Sequence, residues 1–419
     1  MEENSRYAVG IDIGTTTVRC VVGHIDTTTG TPTIVGVGQA KNSGMRKGTV
    51  TNLAGPAEAI DAALGEAERM SGYEVDAATI SINGAHILST KTDGMIAVGA
   101  AGHEVSSEDL ARLDEVAIIG KVPANREVLE VVPHSYRLDG QDNIKDPLGM
   151  SGTRLEINAN VVSVLLPYLQ SLHKSADMAK VASRNIVPAG LAAAQTTLTE
   201  AQKENGVALV DIGGATTGVV VFEDGDLQYI GVIPMGGNNI TNDLAIGLKT
   251  DPEIAEKAKL AHASAIVRSG DEQVSVKQGK EQIHFSSRDL DEIVEARLEE
   301  IFELIQGELK KAGRAGRLPG GVVLTGGTAN IKSIAEFAKE KLGLAARVGK
   351  AQGYGGVADN IEAPEYATVI GLMLMDAEGG TVEQHRGMGS SVHHTATEAT
   401  RVVKNAGGVL SRFLKRFKA

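Results

Sequence analysis

Residues 1–84 alternate between apolar runs and one amphipathic stretch, a pattern typical of a sheet backed by helices. Four segments have the length and apolar content of buried strands: residues 7–13, 18–23, 33–39 and 78–82. Between them, residues 56–70 have the spacing of a helix, because Ile60, Leu64 and Ala67 fall on one face. This part of the chain is therefore predicted to be an α/β unit.

The pattern changes between residues 85 and 160. One helical stretch at residues 107–119 is accompanied by two strand-like segments, 127–133 and 155–162. Residues 140–152 are rich in Gly, Asp and Pro, as expected of a loop. Because strand, helix and strand resume afterwards, we predict that residues 85–160 form an inserted subdomain.

The second half returns to the α/β pattern. Its predicted strands are residues 161–166, 206–212, 219–222 and 320–325, with a polar strand-like region at 265–285. Its predicted helices are residues 167–179, 238–247, 252–262, 288–311, 329–342 and 364–375. From about residue 378 to residue 408 the chain has few large apolar residues, which predicts a flexible linker.

A short motif occurs twice, about 200 residues apart. Residues 8–17 (AVGIDIGTTT) resemble residues 208–217 (ALVDIGGATT). Each copy is an apolar strand, then Asp-x-Gly with small hydroxyl-bearing residues, then a second β-rich strand. The repeat predicts two similar lobes that present the same hairpin.

The two hairpins carry residues suited to a triphosphate and its metal. Asp12 and Asp211 end the strands, where an aspartate can hold a hydrated Mg²⁺. The turns that follow offer main-chain N–H groups and hydroxyls to phosphate oxygens at Gly14, Thr15, Thr16, Gly213 and Gly214. Asp-x-Gly is common in ordinary turns, so only the pair of hairpins indicates a nucleotide clamp.

Two more glycine turns and a charged pair complete the candidate site. Residues 326–328 stand between a predicted strand and a helix start, which favours a polar ligand, although an ordinary β–α turn is the alternative. Residues 236–237 open another predicted helix. On the helix after it, Glu256 and Lys259 lie three residues apart on one face, and the alternative there is an ordinary solvated ion pair. The residues added are Gly236, Gly237, Glu256, Lys259, Gly326, Gly327 and Thr328.

In this order the elements resemble the phosphate 1, phosphate 2 and adenosine motifs of the actin, Hsp70 and sugar-kinase superfamily. The resemblance implies that the cofactors are ATP and Mg²⁺, that Asp12 and Asp211 organise the metal, and that the hairpin glycines hold the phosphates. It also implies that the glycines of residues 326–328 border the adenosine. Glu256 and Lys259 match an A-E-x-x-K pattern on the ribose and adenine side.

Within that superfamily, residues 6–376 are similar to the FtsA family of bacterial cell division proteins. The segments that carry this resemblance are REVLEVVP at 126–133 and IKDPLGMSGTRL at 144–155, which resemble the 1C subdomain of that family. Actin and MreB instead have a 1B subdomain at a different place in the chain. The resemblance implies a two-lobed actin-like α/β fold of ribonuclease H-like repeats, with an inserted SHS2-type subdomain. The implied parts are 1A (1–84 and 161–190), 1C (85–160), 2A (191–242 and 316–376), 2B (243–315), a linker (377–406) and an amphipathic helix (407–419).

Two positions depart from the superfamily pattern. Gly218 stands where the phosphate 2 motif usually ends in aspartate, and Ala189 stands where many hydrolysing relatives have a glutamate. The sequence near Ala189 offers no carboxylate to orient a water molecule. We therefore predict ATP binding with at most weak ATPase activity.

Composition limits the partners and the compartment. The formal charge is −12, so the body is not expected to attract nucleic acid or acidic lipid. Cys20 is the single cysteine, which excludes an internal disulfide and fits a reducing cytoplasm. The acidic opening residues and the lack of a run of about 18 apolar residues predict neither a signal peptide nor a membrane span.

The last residues are a local exception to the acidic charge. Wound as a helix, residues 409–418 place their apolar side chains within an arc of about 140°. The apolar residues are Val409, Leu410, Phe413, Leu414 and Phe417, and the cations are Arg412, Lys415, Arg416 and Lys418. Such a helix is expected to lie on an anionic membrane, and the alternative is a helix packed on the protein's own body or on a partner.

These patterns predict a structural adaptor. By the family resemblance it binds ATP, forms actin-like filaments, binds the C-terminal peptide of FtsZ, meets other division proteins and ties the ring to the cytoplasmic face of the cell membrane at the septum. The peptide is expected on residues 243–315, with Arg288 and Arg297 as candidate contacts, against the alternative of ordinary surface charges. Two other classes stay open: a sugar kinase-like phosphotransferase and a pilus-assembly protein of the PilM kind. Three histidines, His385, His393 and His394, lie in the predicted linker and are expected to be solvated linker residues, not metal ligands.

Overall fold

The computed structural model describes residues 6–26, 30–100, 102–356 and 361–379. The chain after Gly379, with the predicted amphipathic helix, almost all of the predicted linker and its three histidines, lies outside the described residues.

The first lobe begins as a meander of three antiparallel strands. Its elements are β1 (Arg6–Ile13), β2 (Thr17–Ile25), β3 (Pro32–Lys41), the short β4 (Met45–Arg46) and β5 (Thr49–Val50), α1 (Ala54–Ser71) and β6 (Ala77–Ile82). β6 lies parallel to β1. Ile60, Leu64 and Ala67 of α1 are buried in the core with Val9 and Ile11 of β1, as the helical spacing predicts.

The inserted block folds around a sheet of its own. Its elements are β7 (Leu88–Ala97), α2 (Ser107–Ile118), β8 (Arg126–Leu138), β9 (Gln141–Ile144) and β10 (Arg154–Leu165). The strands are all antiparallel to their neighbours, in the order β7-β10-β8-β9. The sequence pattern missed β7, which is half polar, and the predicted loop at 140–152 contains β9.

The chain then completes the first lobe. α3 (Leu166–Met178) leads to β11 (Ala182–Pro188), which pairs parallel to β6, and α4 (Ala189–Thr197) follows at once. The finished sheet has the order β11-β6-β1-β2-β3. Neither β11 nor α4 is predicted by the sequence pattern.

The second lobe repeats this topology. Its elements are α5 (Glu200–Asn205), β12 (Val207–Ile212), β13 (Thr217–Glu223), β14 (Asp226–Ile233), α6 (Gly237–Gly247), α7 (Pro252–His262), β15 (Gln273–Gln278), β16 (Glu281–Ser286), α8 (Ser287–Lys311), β17 (Val322–Thr325), α9 (Ile334–Leu342) and β18 (Ala346–Val348). The last helix, α10 (Ala367–Gly379), returns to pack on the first lobe. Its sheet has the order β18-β17-β12-β13-β14, strand for strand that of the first lobe.

Two predicted helices differ in detail. The segment predicted as one helix over 329–342 is a 3₁₀ turn (Gly327–Asn330) and α9, separated at Ser333, whose φ is 61°. The last helix begins with a 3₁₀ turn at Pro364–Tyr366 before α10. α10 is almost completely buried, which fits its apolar sequence. Its residues Val369 and Met373 pack with Ala8 of β1, on the opposite face of the first sheet from α1.

The inserted subdomain also contacts the second lobe, although its chain leaves from the first. The side-chain amide of Asn160 on β10 donates to the carbonyls of Leu227 and Gln228 on β14, at 2.7 and 2.8 Å. Beside them, Nζ of Lys145 lies 2.6 Å from a carboxylate oxygen of the buried Asp226. The insert therefore bridges the two lobes at the edge of the second sheet.

Candidate functional site

The two repeated hairpins have the same backbone turn. The N–H of Gly14 donates to the carbonyl of Thr17 at 3.2 Å, and the N–H of Gly213 donates to that of Thr216 at 2.9 Å. The next N–H in each turn, on Thr15 and on Gly214, donates to no acceptor among the described residues. Each lobe therefore offers free backbone donors at the same place, the donor set that an anion requires.

The hairpins meet face to face. A Cβ added to Gly214 would lie 2.8 Å from Cγ2 and 2.9 Å from Oγ1 of Thr16, so a larger residue at 214 would have to displace that side chain. Asp12 and Asp211 are near enough that the negative charge of Asp12 raises the pKa of Asp211. The structure thus brings together the two carboxylates that the repeat singles out.

Burial governs the charge of both carboxylates. Burial raises the pKa of Asp12, although the hydrogen bond of 2.8 Å that the Ser81 hydroxyl donates to Asp12 acts to lower it. Burial also raises the pKa of Asp211, to about 7. Repulsion from Asp12 adds to the shift of Asp211, while Arg19 opposes it. Asp211 is therefore about half protonated at neutral pH, and a cation bound between the carboxylates would favour their ionised forms.

The other second-lobe turns converge on the second hairpin. The carbonyl of Gly213 accepts hydrogen bonds from the N–H of Gly237 at 2.9 Å and from the hydroxyl of Thr328 at 3.1 Å. Gly326 has a φ of 83°, and a Cβ there would lie 2.5 Å from Oδ1 of Asp211. Glycine suits both the positive φ of residue 326 and the close approach of the Asp211 carboxylate, so the absence of a side chain at Gly326 leaves room for this turn beside Asp211.

The remaining predicted glycines differ in their surroundings. Gly236 is buried, and a Cβ on it would lie 2.5 Å from the carbonyl oxygen of Gly213. Gly327 is exposed, and a Cβ on it would meet nothing closer than 4.0 Å, on Glu365. Gly236 therefore shapes the loop, whereas Gly327 is open to solvent.

The pair on α7 is more than a solvated ion pair. Lys259 is 7 % exposed, and its amine donates to the carbonyl of Gly237 at 3.1 Å and to the hydroxyl of Thr241 at 2.8 Å. Glu256 lies 2.6 Å from the same amine and also accepts the Thr241 hydroxyl. Lys259 thus holds α7 against the first turn of α6, beside the second hairpin.

Sequence reasoning missed the residues that support the first hairpin. The side-chain amide of Asn42 donates to the carbonyl of Gly14 at 2.7 Å, and the hydroxyl of Thr15 accepts from the N–H of Gly48 at 3.0 Å. Arg19, which faces Asp12 across the β1–β2 ladder, could have been found from the antiparallel register. Asn42 and Gly48 give no such signal, because only the tertiary fold brings them near.

The two departures from the superfamily pattern lie in different lobes. Ala189 is buried at the first residue of α4, directly after β11. Gly218 faces Asp211 across the β12–β13 ladder, and the only atom near an added Cβ is that of Asp211, at 3.8 Å. A Cβ would fit at 218, so close backbone packing does not force a glycine there.

The carboxylate set limits how a metal could be held. No cluster of three or more His, Cys, Asp or Glu side chains in the described part of the chain could hold a metal ion. Mg²⁺ tolerates this, because it usually keeps several waters and needs only one or two carboxylates plus phosphate oxygens. The donor set therefore fits a hydrated Mg²⁺ carried in with a triphosphate.

The predicted peptide-binding arginines do not lie together. Arg297 lines a groove of about 560 Å³ between α6 and α8, where Nη2 lies 3.1 Å from Asp243 and Nη1 bonds Glu300. Arg288 does not line this groove and pairs with Glu292 at 3.0 Å. Nine residues of helix put the two arginines on opposite sides of α8.

Within the described ranges, no helix is both long enough and apolar enough to cross a membrane.

Two lobes of one topology, meeting at paired Asp-x-Gly hairpins, define the class as an actin-like fold. Solved structures of this class are similar: a chain of a PilM–PilN type IV pilus biogenesis complex has a TM-score of 0.65 at 15 % identity, covering 88 % of this chain and 98 % of that one. MreB5 of Spiroplasma citri bound to ADP has a TM-score of 0.54 at 13 % identity, covering 91 % and 99 %. At these identities the likeness concerns the fold alone.

Sequence comparison gives the family. The family model "Cell division protein FtsA" matches residues 208–371, and "SHS2 domain inserted in FTSA" matches residues 84–163. Curated FtsA proteins are 34 % identical over 394 residues in Pseudomonas aeruginosa (93 % of each chain), 35 % over 387 in Bacillus subtilis (91 % of this chain, 86 % of that one) and 30 % over 418 in Escherichia coli K12 (97 % and 96 %). The chain belongs to the FtsA family.

Membership confirms the predicted family and the actin-like fold with its SHS2 insert. It places the chain among cell division proteins rather than among pilus-assembly proteins or sugar kinases.

Proposed function

We propose that this protein binds Mg·ATP between its lobes, assembles into actin-like filaments, binds the C-terminal peptide of FtsZ and anchors the division ring to the cytoplasmic face of the membrane at the septum. The observation that carries the proposal is the pair of matching hairpins, with Asp12 and Asp211 facing each other and free backbone donors beside each. FtsA family membership supplies the context of cell division.

In this proposal the first-lobe and second-lobe turns hold opposite sides of the phosphates. Asp12 and Asp211 hold Mg²⁺ through its water molecules, and the metal, when bound, offsets the phosphate charge. The backbone after Gly14 and Gly213 donates to the phosphate oxygens. The glycine turn at 326–328 would border the adenosine, with Glu256 and Lys259 on the ribose and adenine side.

Slow turnover is part of the proposal. Ala189 and Gly218 supply no carboxylate to orient a water molecule, so the nucleotide would act mainly as a structural ligand that holds the lobes together. Bound ATP would then stay long enough to set the filament-forming conformation.

The FtsZ peptide is proposed to dock on residues 243–315, along the α6–α8 groove. An acidic side chain of the peptide would reach Arg297 by replacing Glu300, whose pairing is half exposed and therefore weak. Arg288 lies outside the groove but pairs with its lining residue Glu292, so it would contact a peptide that extends past Glu292.

The membrane anchor is proposed to be residues 407–419. Leu410, Phe413, Leu414 and Phe417 would enter the interface, and Arg412, Lys415 and Arg416 would meet anionic headgroups. One such helix binds reversibly, so filaments that carry many tails would bind far more firmly.

Co-sedimentation with phosphatidylglycerol vesicles and FtsZ tests the proposal. Phe413→Glu should release the protein from vesicles, and with it the FtsZ in the pellet, whereas Phe413→Leu should retain both. Asp211→Ala should weaken Mg·ATP binding at least about tenfold, a loss of about 1.4 kcal/mol. Undiminished vesicle binding by Phe413→Glu would remove the anchor, and undiminished ATP affinity of folded Asp211→Ala would remove the clamp.

A further inference from the structure

Arg19 on β2 is a cation whose hydrogen-bond donors are unused in the described part of the chain. It faces Asp12 across the β1–β2 ladder, and its charge acts on both Asp12 and Asp211. Its guanidinium nevertheless makes no ion pair or hydrogen bond with a described residue, and Nε is buried without an acceptor. A guanidinium stays charged and carries five N–H donors, so burying one without acceptors is unfavourable. These donors therefore suit an anion bound beside the two hairpins.

An aromatic ring holds the guanidinium of Arg19 instead. Its Cζ lies 5.3 Å from the centre of the Tyr366 ring, within the range of a cation–π interaction. This attraction acts between the charge and the face of the ring, so it requires no hydrogen-bond acceptor on Tyr366. The Tyr366 hydroxyl bonds to no residue that the structure describes. The ring thus fixes the place of the charge and leaves the donors of Arg19 available.

Tyr366 ends a 3₁₀ turn, Pro364–Tyr366, whose other two residues contact the glycine turn of the second lobe. The carbonyl of Pro364 accepts from the N–H of Gly326 at 3.1 Å. Glu365 accepts from the side-chain amide of Asn330, at the end of the 3₁₀ turn that follows Gly326, at 2.7 Å. The three residues therefore connect the glycine turn of the second lobe with a cation of the first.

The Tyr366 ring has a firm support of its own. Its N–H donates to the carbonyl of Ala363 at 3.0 Å, which closes the 3₁₀ turn, and the buried helix α10 follows directly. The ring also packs against the apolar cluster that contains Val21 of β2, two residues beyond Arg19 on the same face of the strand. A side chain held by packing in this way can hold another in place.

We propose that Tyr366 is a positioning residue for the phosphates of the nucleotide: its ring holds the Arg19 guanidinium so that the free donors meet phosphate oxygens, and its 3₁₀ turn ties this contact to the glycine turn at 326–328. The inference rests on the proposed Mg·ATP site and adds to it the source of positive charge. The ligand class is a nucleoside di- or triphosphate, because adenosine alone offers the guanidinium no anion. Tyr366 touches no ligand in this arrangement and acts through Arg19.

A double-mutant cycle on the full chain, with Mg·ATP affinity measured by calorimetry, tests this dependence. Arg19→Met removes the charge and the donors but keeps a flexible side chain that can lie on the ring, and it should weaken binding at least about tenfold. Tyr366→Leu removes the ring and should weaken binding about fivefold, the size of a partly buried cation–π interaction. Added to Arg19→Met, it should cause no further loss, because the ring then has no charge to hold.

Tyr366→Phe is the matched control. It keeps the ring and removes only the hydroxyl, which has no described partner, so Mg·ATP affinity should stay within about twofold of wild type. Circular dichroism and urea unfolding of each variant report on the fold. Should Tyr366→Leu fold poorly, Tyr366→Met repeats the cycle with a flexible side chain that fills irregular space.

Three results would overturn the inference. Equal Mg·ATP affinity of Arg19→Met and wild type would remove the cation from the phosphates. Losses that add fully in the double variant would show that Tyr366 acts independently of Arg19. A fivefold loss in Tyr366→Phe would assign the effect to the hydroxyl rather than to the ring. Failure of the proposed function is distinguishable from all three, because the wild-type protein itself would then fail to bind Mg·ATP.

Discussion

Replacing Asp211 with asparagine should stabilise the protein in a pH-dependent way while weakening its nucleotide site. The carboxyl is 8 % exposed and faces the charge of Asp12, so ionisation is unfavourable in the folded state. Asparagine has nearly the same shape and no charge. The Asp211→Asn variant therefore removes the repulsion without leaving a cavity.

The magnitude follows from the pKa of Asp211, which is about 7 in the folded protein against an ordinary value of 3.8. Because the folded pKa is the higher one, the carboxyl's contribution to stability is fully present below its unfolded pKa and is lost as the pH rises through 7. Between pH 5.5 and pH 8, wild type should lose about 2 kcal/mol of unfolding free energy relative to Asp211→Asn. Above pH 8 the difference should stay level.

Urea unfolding of both proteins, without nucleotide, at pH 5.5, 6.5, 7.5 and 8.5 measures this difference. Asp142→Asn, at a well-exposed aspartate on the insert, is the matched control and should show no such trend. A difference between Asp211→Asn and wild type that is equal at pH 5.5 and pH 8.5 would refute the reasoning. The same variant should lose at least about tenfold in Mg·ATP affinity by calorimetry.

Three further outcomes are expected. Gly326→Ala should fold poorly or lose ATP binding, measured by circular dichroism and calorimetry, because its φ of 83° and the nearby Asp211 carboxylate both exclude a Cβ; normal ATP affinity would show that this turn does not border the nucleotide. Steady-state ATP turnover should stay well below the enzyme median of about 10 per second, since Ala189 and Gly218 provide no base; a rate at that level would show that another residue does. Vesicle binding should fall only partly between 0.05 and 0.5 M salt, because salt screens the cations but not the burial of Phe413; complete loss would mean that the apolar face does not insert.

The repeated hairpins are the part of the site that the sequence could predict. Each is a local structure whose strand, turn and register follow from a contiguous motif, and β1–β2 and β12–β13 match the expected pairs closely. The strongly periodic helices α1, α7 and α8 also follow the pattern to within about two residues, since one face of each is buried.

The rest depends on contacts between distant segments. Ser81 reaches Asp12 because β6 lies beside β1, and nothing in the sequence around Ser81 marks it. The missed strand β7 has polar residues on its exposed positions and contributes little to the core, so its pairing with β10 sets its conformation. The groove that contains Arg297 also required the fold, because its lining residues come from both α6 and α8.

The bridge from the insert to β14 has a mechanical consequence. Through Asn160 and Lys145 the second lobe is held to the insert, whereas the buried core that α4 shares with β12 and β13 holds it to the first lobe. The insert thus adds a polar attachment at the edge strand of the second sheet. Any rotation of the second lobe that separates β14 from the insert must first break the Asn160 hydrogen bonds.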